Sequence, residues 1–541
     1  MAALQAARWR QAARIVVLLS ACLVPAACAK VPHPAQPFTY YLSPSGNDAA
    51  AGTSPATAWR SLGRASRAVL RPGTRLLLQG GGHFTGQLTV GRQDAGNPAR
   101  PLVIGSYGQG AASITSSGAA VYVYDTAGVD ISDLDLASAQ PAGKTTAGVS
   151  LYNDLPAGHR LDHVVLTSIS VAGFADGIVF GGKNNGSGFG DVQVSNCVLD
   201  GNVDAGLASY GPVFDPGSPS YANQEVSVSH VVVAGNHGNP QSRVINTGNG
   251  IVLGSVRDGT VTWSTADGNG SDSSASRGPI GIWAYDSTRV VIEHSLSFRN
   301  RTRNRIDGNG FGLDQNTSDS VLQDDLSYGN DGAGFLVYSG QPNTAQRDNI
   351  LRYNISSADC QDGNASYGGI SVIGTVTGAA VYQNTVVTSA PPPALRLGPK
   401  VHGLLIRNNI FLTADGPIIT AARALAPAAA ELQGNDYFSA GSWSIGWGPV
   451  SYRSLEAWRP ASSQEMMAGR PAGFAVNPRL VGPVLSLQQR LASQAAAGFA
   501  LGPGSPLIRA GLDLASLGMK PGTTDYSGNS QSARHPNVGA Q

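Results

Sequence analysis

Through the middle of the chain, apolar and polar residues alternate in short runs, and the alternation restarts about every thirty residues. The stretch Val291-Ile292-Glu293-His294-Ser295-Leu296-Ser297-Phe298-Arg299-Asn300 returns as Val321-Leu322-Gln323-Asp324-Asp325-Leu326-Ser327-Tyr328-Gly329-Asn330, an offset of 30. The units Asn354-Ile355-Ser356, Asn384-Thr385-Val386 and Asn409-Ile410-Phe411 continue it, and Asn269, Asn236 and Asn202 precede Asn300 in the equivalent place. Each such turn is followed by Gly and an apolar pair, as in Gly281-Ile282-Trp283 and Gly334-Phe335-Leu336. A period of two predicts strands, and Asn and Gly predict the turns between them. A unit this short has no helix and cannot bury its apolar face alone, so the units must stack into a β-solenoid. The repeated Asn has a mechanical role here: it tolerates left-handed turns, and stacked amides bond along the axis.

The ends depart from the pattern, as capping units should. Residues 61–70 place Leu62, Ala65 and Val69 on one helical face before Arg71-Pro72-Gly73, which predicts a short helix closing the N-terminal end. Beyond residue 435 the repeat gives way to Pro/Gly-rich loops, with one predicted helix over 485–497, and this tail is expected to fold back along the body. The expected organisation is a leader over 1–29, a cap and first coils over 30–120, repeats over 121–434 and a closing segment over 435–541. The leader rests on Arg8, Arg10 and Arg14 before the apolar run Ile15 to Val24 and the small residues Ala27-Cys28-Ala29. Export is the expectation, to the periplasm or the extracellular space, or with lipid anchoring at Cys22 or Cys28. No later stretch is long and apolar enough for a membrane span.

Composition agrees with many strands and turns. The chain has 541 residues, 69 of them Gly and 32 Pro, and charged residues make up only 13%. Lys and Arg (36) nearly cancel Asp and Glu (35), which argues against a nucleic-acid partner held by a broad basic field. Beyond the leader only Cys197 and Cys360 remain, in different repeats, and both are expected as buried thiols. A monomer is the expected state.

The opening Tyr40-Tyr41-Leu42-Ser43-Pro44-Ser45-Gly46-Asn47-Asp48, the segment from Pro101 to Gly108 and the closing motifs Gly504 to Gly511 and Asp525 to Asn529 resemble those of secreted bacterial right-handed parallel β-helix repeat proteins, the pectate-lyase-like superfamily. The resemblance implies an all-β, right-handed parallel β-helix with a short N-terminal helical cap and a loop-rich C-terminal segment. Most characterised members cut or remodel polysaccharides, so the resemblance implies a polysaccharide as substrate or ligand.

Alternation also places side chains. With Ile282, Ala284, Phe311, Leu313, Phe335, Val337, Ile370 and Val372 pointing inward, Trp283, Gly312, Leu336 and Ser371 form one outward row. Tyr285, Asp314, Tyr338 and Ile373 form the next, so Asp314 stands between two tyrosines with Trp283 nearby. Aromatic faces stack on sugars, and a carboxylate binds hydroxyls or performs acid–base work. Asp307 and Asp331 each lie four residues before an inward Phe, in equivalent turns of neighbouring coils. Carboxylates so placed are expected roughly 5 Å apart, the separation of a retaining glycosidase pair. The run Arg299, Arg301, Arg303 and Arg305 offers a different chemistry: bidentate binding of a uronate carboxylate, as a lyase requires. Glu293, Gln323 and Arg352 form a further outward row that could line the same cleft. Asp325 sits in the Asn position and reads as a turn residue, His294 as structural, and Asp176 and Asp204 as ordinary turn residues.

The stretch from Gly281 to Gly334 also resembles a subgroup of these proteins that reads Asp-Gly-Asp-Gly-Phe-Asp-Leu-Asp. Here the motif is Asp307-Gly308-Asn309-Gly310-Phe311-Gly312-Leu313-Asp314, so two of four acidic positions are missing. The resemblance admits Ca²⁺ as a ligand of that set, with the metal residues unassigned. Two readings stand: an exported enzyme cleaving glycosidic bonds, by a carboxylate pair or by uronate β-elimination, and a non-catalytic cell-surface glycan binder on the Trp283/Tyr285/Tyr338 platform.

Overall fold

In the computed structural model, residues 38–541 are described apart from 95, 142–146, 365, 390, 483–495 and 533. The leader expectation lies outside the described residues, as does nearly all of the helix predicted over 485–497.

The repeat folds as its periodicity predicts. Most coils contribute one strand to a 14-stranded sheet and then two strands, separated by a tight turn, to a 25-stranded sheet, the two being continuous in Val129–Ser138 and Arg160–Ala172. One coil is Ile280–Tyr285, Thr288–Glu293 and Leu296–Phe298; the next is Asn309–Leu313, Val321–Gln323 and Leu326–Tyr328. Pairing between coils is parallel, with Ile282 opposite Phe311 and Phe311 opposite Phe335. All eight residues predicted to point inward are 0% exposed. They form one continuous core along the axis, and Phe311 stacks on Phe335 at 5.1 Å.

The Asn repeat resolves into two buried ladders. In one, the Asn202 backbone N donates to Asn236 Oδ1 at 2.9 Å, and Asn236, Asn269, Asn300 and Asn330 continue it to Asp359. In the other, Asp325 accepts from Ser295 N at 2.8 Å, and Asn354, Asn384, Asn409 and Asn435 carry the ladder to Glu465. Each amide satisfies backbone N–H groups that a turn would otherwise leave buried without partners. The turn between the two strands of the larger sheet bends at a left-handed residue in every repeat: Trp263, His294, Asp324 and Tyr353 have φ of 51, 51, 55 and 56°. Cys197 and Cys360 are free and buried.

The N-terminal helix is shorter than its pattern predicts, spanning Leu62–Ala65. Ser61 caps it by accepting from Arg64 N at 3.1 Å, but Asp94 captures the backbone N of Leu70 at 2.8 Å, and Val69 is left 53% exposed. At the other end the last coil is followed by the helix Leu455–Ser462, which the sequence pattern did not reveal. The closing segment then runs back over the larger sheet. Tyr382 Oη donates to the carbonyl of Lys520 at 2.8 Å and Asn408 Nδ2 to that of Leu512 at 3.0 Å. Phe499, Leu507 and Val538 are buried there against Leu326, Ile355 and Ile410. No helix among the described residues is long and apolar enough to cross a membrane.

Candidate active site

The outer face of the 14-stranded sheet is left open by the closing segment, and the loops that join it to the larger sheet rise beside it. Between them lies a cleft of about 870 Å³. Its floor is laid by the strands Asp176–Gly182, Ala205–Tyr210, Asn249–Gly254, Ile280–Tyr285, Phe335–Ser339 and Ile370–Gly374, with Asp314 just past the end of Asn309–Leu313.

The three predicted aromatic residues lie at this cleft, Trp283 itself largely buried at 6% exposure. Trp283, Tyr285 and Tyr338 line it, with Trp283 and Tyr285 ring centroids 5.2 Å apart. Trp283 Nε1 donates to Asn249 Oδ1 at 3.1 Å, which fixes the indole with one face against the sheet. Tyr285 follows Ala284, which pairs with Leu313, so Asp314 stands beside Tyr285 on one side and Tyr338 on the other. Sequence alternation placed these residues; the cleft walls were not visible to it.

Asp307 and Asp314 both line the cleft and differ in their surroundings. Asp307 accepts three hydrogen bonds: from Gly278 N at 2.8 Å, Tyr367 Oη at 2.9 Å and Asn309 Nδ2 at 2.9 Å. Burial pushes its carboxyl up, and these donors pull it back. Asp314 accepts one, from Gln315 N at 2.6 Å. Its carboxyl is pushed up to about 7, first by burial and then by the charge of Asp307. Burial and the neighbouring Asp307 likewise raise the Tyr367 phenol far above its usual range, so it remains a donor.

Asp331 lies elsewhere. Its turn stacks on that of Asp307 as predicted, with Gly332 N donating to the Gly308 carbonyl at 3.0 Å. Its side chain, however, is engaged by Arg301 Nη1 at 2.9 Å and by Thr302 N at 3.0 Å, and it does not line the cleft. The arginine run is similarly occupied. Arg299 pairs with Asp267 at 2.5 Å, Arg303 with Asp272 at 3.4 Å, and Arg305 donates to the Asp362 carbonyl at 2.8 Å. Glu293, Gln323 and Arg352 do form one row, on the larger sheet. Glu293 accepts from Gln323 at 2.5 Å, and Arg352 is tied to Gln323 and, at 2.5 Å, to the Lys520 carbonyl, so the closing segment holds this row away from the cleft. His294 stacks on Trp263 at 4.5 Å.

The cleft contains groups that sequence reasoning passed over. Asp176 and Asp204 lie at its N-terminal end, and Asp176 is pushed up to about 8 by burial and by Asp204. Asp286 is also raised by burial. Arg277 is the one Lys or Arg among the lining residues, and it makes no ion pair within the described residues. Its neighbours are held by loop-to-loop contacts that no local pattern reports, Ser276 N donating to the Arg243 carbonyl at 2.9 Å and Gly278 N to Asp307 at 2.8 Å.

The Ca²⁺ reading does not fit these residues. Asn309 uses its amide nitrogen on Asp307 and its oxygen on Ala333 N at 2.7 Å. At Gly312 there is no carboxylate, and a Cβ there would already sit tightly against Ile280 at 3.1 Å. Among the described residues no group of three or more His, Cys, Asp or Glu is arranged to hold a metal ion.

No family model matches this chain, and no curated protein matches it. Among solved structures it is similar to a GH136 lacto-N-biosidase from Eubacterium ramulus, at 17% identity and a TM-score of 0.50 over 67% of this chain. The match covers 65% of that chain, so this protein spans less than two thirds of its length. The selenomethionine form of the same enzyme aligns over 71% of this chain and 67% of that one, at 16% identity and a TM-score of 0.50. Pectate lyase Pel9A aligns over 93% of this chain and 96% of that one, at 17% identity and a TM-score of 0.40. At such identities the likeness is one of fold. The fold of this chain is a right-handed parallel β-helix.

Proposed function

We propose that this protein is an exported, carbohydrate-active enzyme that hydrolyses a glycosidic bond in the cleft, with Asp314 as general acid and Asp307 as its ionised partner. The observation that carries this reading is the unequal environment of two carboxyls in one cleft. Burial raises both carboxyls, but three donors offset it at Asp307, whereas Asp314 has one donor and the charge of Asp307 beside it. Protonated Asp314 gives its proton to the leaving oxygen as the C–O bond breaks. Asp307 supplies the negative charge opposite the developing oxocarbenium ion, as nucleophile or as base toward water, and water completes the replacement at carbon. Trp283, Tyr285 and Tyr338 provide the surface on which the sugar rings lie.

Charge favours hydrolysis over uronate elimination. Arg277 is the single Lys or Arg lining the cleft, and Arg303, Arg305 and Arg352 are bonded elsewhere. Uronate elimination needs its carboxylate neutralised, and the cleft offers one guanidinium for a polyanionic substrate. The β-helix fold shared with a lacto-N-biosidase supports the same class of chemistry.

The test is turnover of a panel of neutral and acidic polysaccharides. Asp314→Asn and Asp307→Asn are expected to lower kcat by about a hundredfold or more, while Asp331→Asn retains wild-type turnover. Products should be new reducing ends without the ultraviolet absorbance of an unsaturated uronate. Full activity of Asp314→Asn, or an unsaturated product, would overturn the proposal. A protein that binds glycan on Trp283 with no turnover would instead be the surface binder.

A further inference from the structure

The outward row that carries Asp314 does not stop at the cleft. Pairing runs from Tyr124 to Tyr152, from Tyr152 to Gly181 and from Gly181 to Tyr210. One residue past the Ser209–Leu253 pair, Tyr210 meets Gly254, which pairs with Tyr285. Four tyrosines and two glycines thus precede Asp314 along one line of the sheet. The glycines have a geometric role. A Cβ at Gly254 would lie 2.5 Å from two ring atoms of Tyr285, and one at Gly181 would lie 2.8 Å from the ring of Tyr210. Each of these rings therefore leans across the preceding coil, and the glycine makes room for it.

At the N-terminal end the rings draw together. Tyr124 lies 6.1 Å from Tyr152 and 5.9 Å from Tyr122, with ring planes within 17° and 14°. Tyr124 is anchored there, its Oη donating to Asp154 at 3.0 Å and receiving Arg92 Nη2 at 3.1 Å. The hydroxyls of Tyr122, Tyr152, Tyr210 and Tyr285 have no hydrogen-bond partner within the described residues, although each ring is partly buried. A phenol set in this way offers an apolar face and an unused donor and acceptor together, the combination that sugar rings with their hydroxyls satisfy. With coils about 4.8 Å apart, Tyr152 and Tyr124 lie about 24 and 29 Å from Asp314 along the axis.

We propose that Tyr122, Tyr124 and Tyr152 form a remote glycan-binding subsite joined through Tyr210 to the cleft, so that the substrate is a long linear glycan laid along the solenoid axis rather than a short oligosaccharide. This rests on the cleft reading above for the position of the bond that is cut. A short glycan held at Asp314 ends before it reaches Tyr152, so the remote rings affect only longer chains.

Binding can be measured apart from turnover, in the Asp314→Asn background, by affinity electrophoresis in xylan, galactan, mixed-linkage glucan and polygalacturonate. A neutral polysaccharide is expected to retard this protein. Adding Tyr122→Ala with Tyr152→Ala should weaken that binding by about tenfold and leave the Kd for the matching trisaccharide unchanged. In the active protein the same pair should raise KM on the polymer with kcat preserved. Retardation by none of the polysaccharides, unchanged polymer binding, or equal loss on polymer and trisaccharide would each overturn the subsite. If the alanine pair does not fold, Tyr122→Phe with Tyr152→Phe keeps the rings and removes the hydroxyls. That pair must still weaken polymer binding, by a smaller factor, and unchanged binding again overturns the proposal. Turnover by the Asp314→Asn protein itself would sink the cleft reading and leave the subsite measurable.

Discussion

One hydrogen bond on Asp314 against three on Asp307 gives the proposed site a defined pH response. The acid form of Asp314 is required, and its carboxyl titrates at about 7, so kcat/KM should fall about tenfold per pH unit above that point. Burial and Asp307 set where the fall begins, and two neighbours that take no part in bond cleavage adjust it. The charge of Asp286 raises Asp314, so Asp286→Asn should move the alkaline limb to lower pH; Arg277 lowers it, so Arg277→Ala should move the limb to higher pH. A pH–rate profile of each variant checks the signs, and movement of both in one direction would contradict the assignment of Asp314. At this scale the sequence was partly legible. Alternation placed Asp314 between Tyr285 and Tyr338, because one strand period decides it. It could not separate Asp307 from Asp331, because their backbones occupy equivalent turns. The difference is made by Tyr367 and Gly278 on one and by Arg301 on the other.

Among the elements, the coil owes its regularity to the buried amide ladders more than to strand propensity, since many strands are only three residues long. Asn300 shows the stake. Its Oδ1 receives Asn269 N at 3.2 Å and Asn269 Nδ2 at 3.0 Å, and its own amide donates to Asn330 Oδ1 at 2.8 Å, all without exposure. Asn300→Ala leaves the buried Asn269 N–H unpaired and Asn269 Nδ2 with only the Val233 carbonyl, and is expected to cost about 3 kcal/mol, read as a lower urea midpoint. Asp331→Asn, on a partly exposed turn, should cost far less. The Asn repeat was the clearest signal in the sequence, and its structural meaning was readable directly. The helix Leu455–Ser462 was not, because its stability comes from burying Trp458 against Tyr437 and Trp447 rather than from a local repeat.

Across the whole molecule, several carboxyls sit where burial outweighs any nearby cation. Asp176 is pushed up to about 8, Asp314, Asp324 and Asp436 to about 7, and Asp359 to about 6, each chiefly by burial. The folded protein thus binds more protons than the unfolded chain between pH of about 4 and 8, and its stability must fall as pH rises through that window. Carboxyls held below their usual range, such as Asp258 beside Arg289 and Asp191 with Gln193, act in the opposite sense only toward lower pH. Melting temperatures at pH 5, 6, 7 and 8 should therefore decrease in that order, and a protein more stable at pH 8 than at pH 5 would contradict the burial of these groups in the folded state.

The architecture was fixed in the sequence because it is built from one local rule repeated. Alternation chooses the inward face, Asn and Gly close each coil, and stacking follows from the need to bury that face. The aromatic platform came with it, since register carries each outward residue over its predecessor. What only the tertiary structure decided is which charged residues share a space. The loops bearing Arg277 and Tyr367 lean into the cleft, the closing segment engages Arg352 on the other sheet, and Asp176 and Asp204 line the same cleft as Asp314 from several coils away. Those contacts join residues far apart in the chain through loops that obey no repeat, so no periodicity encodes them.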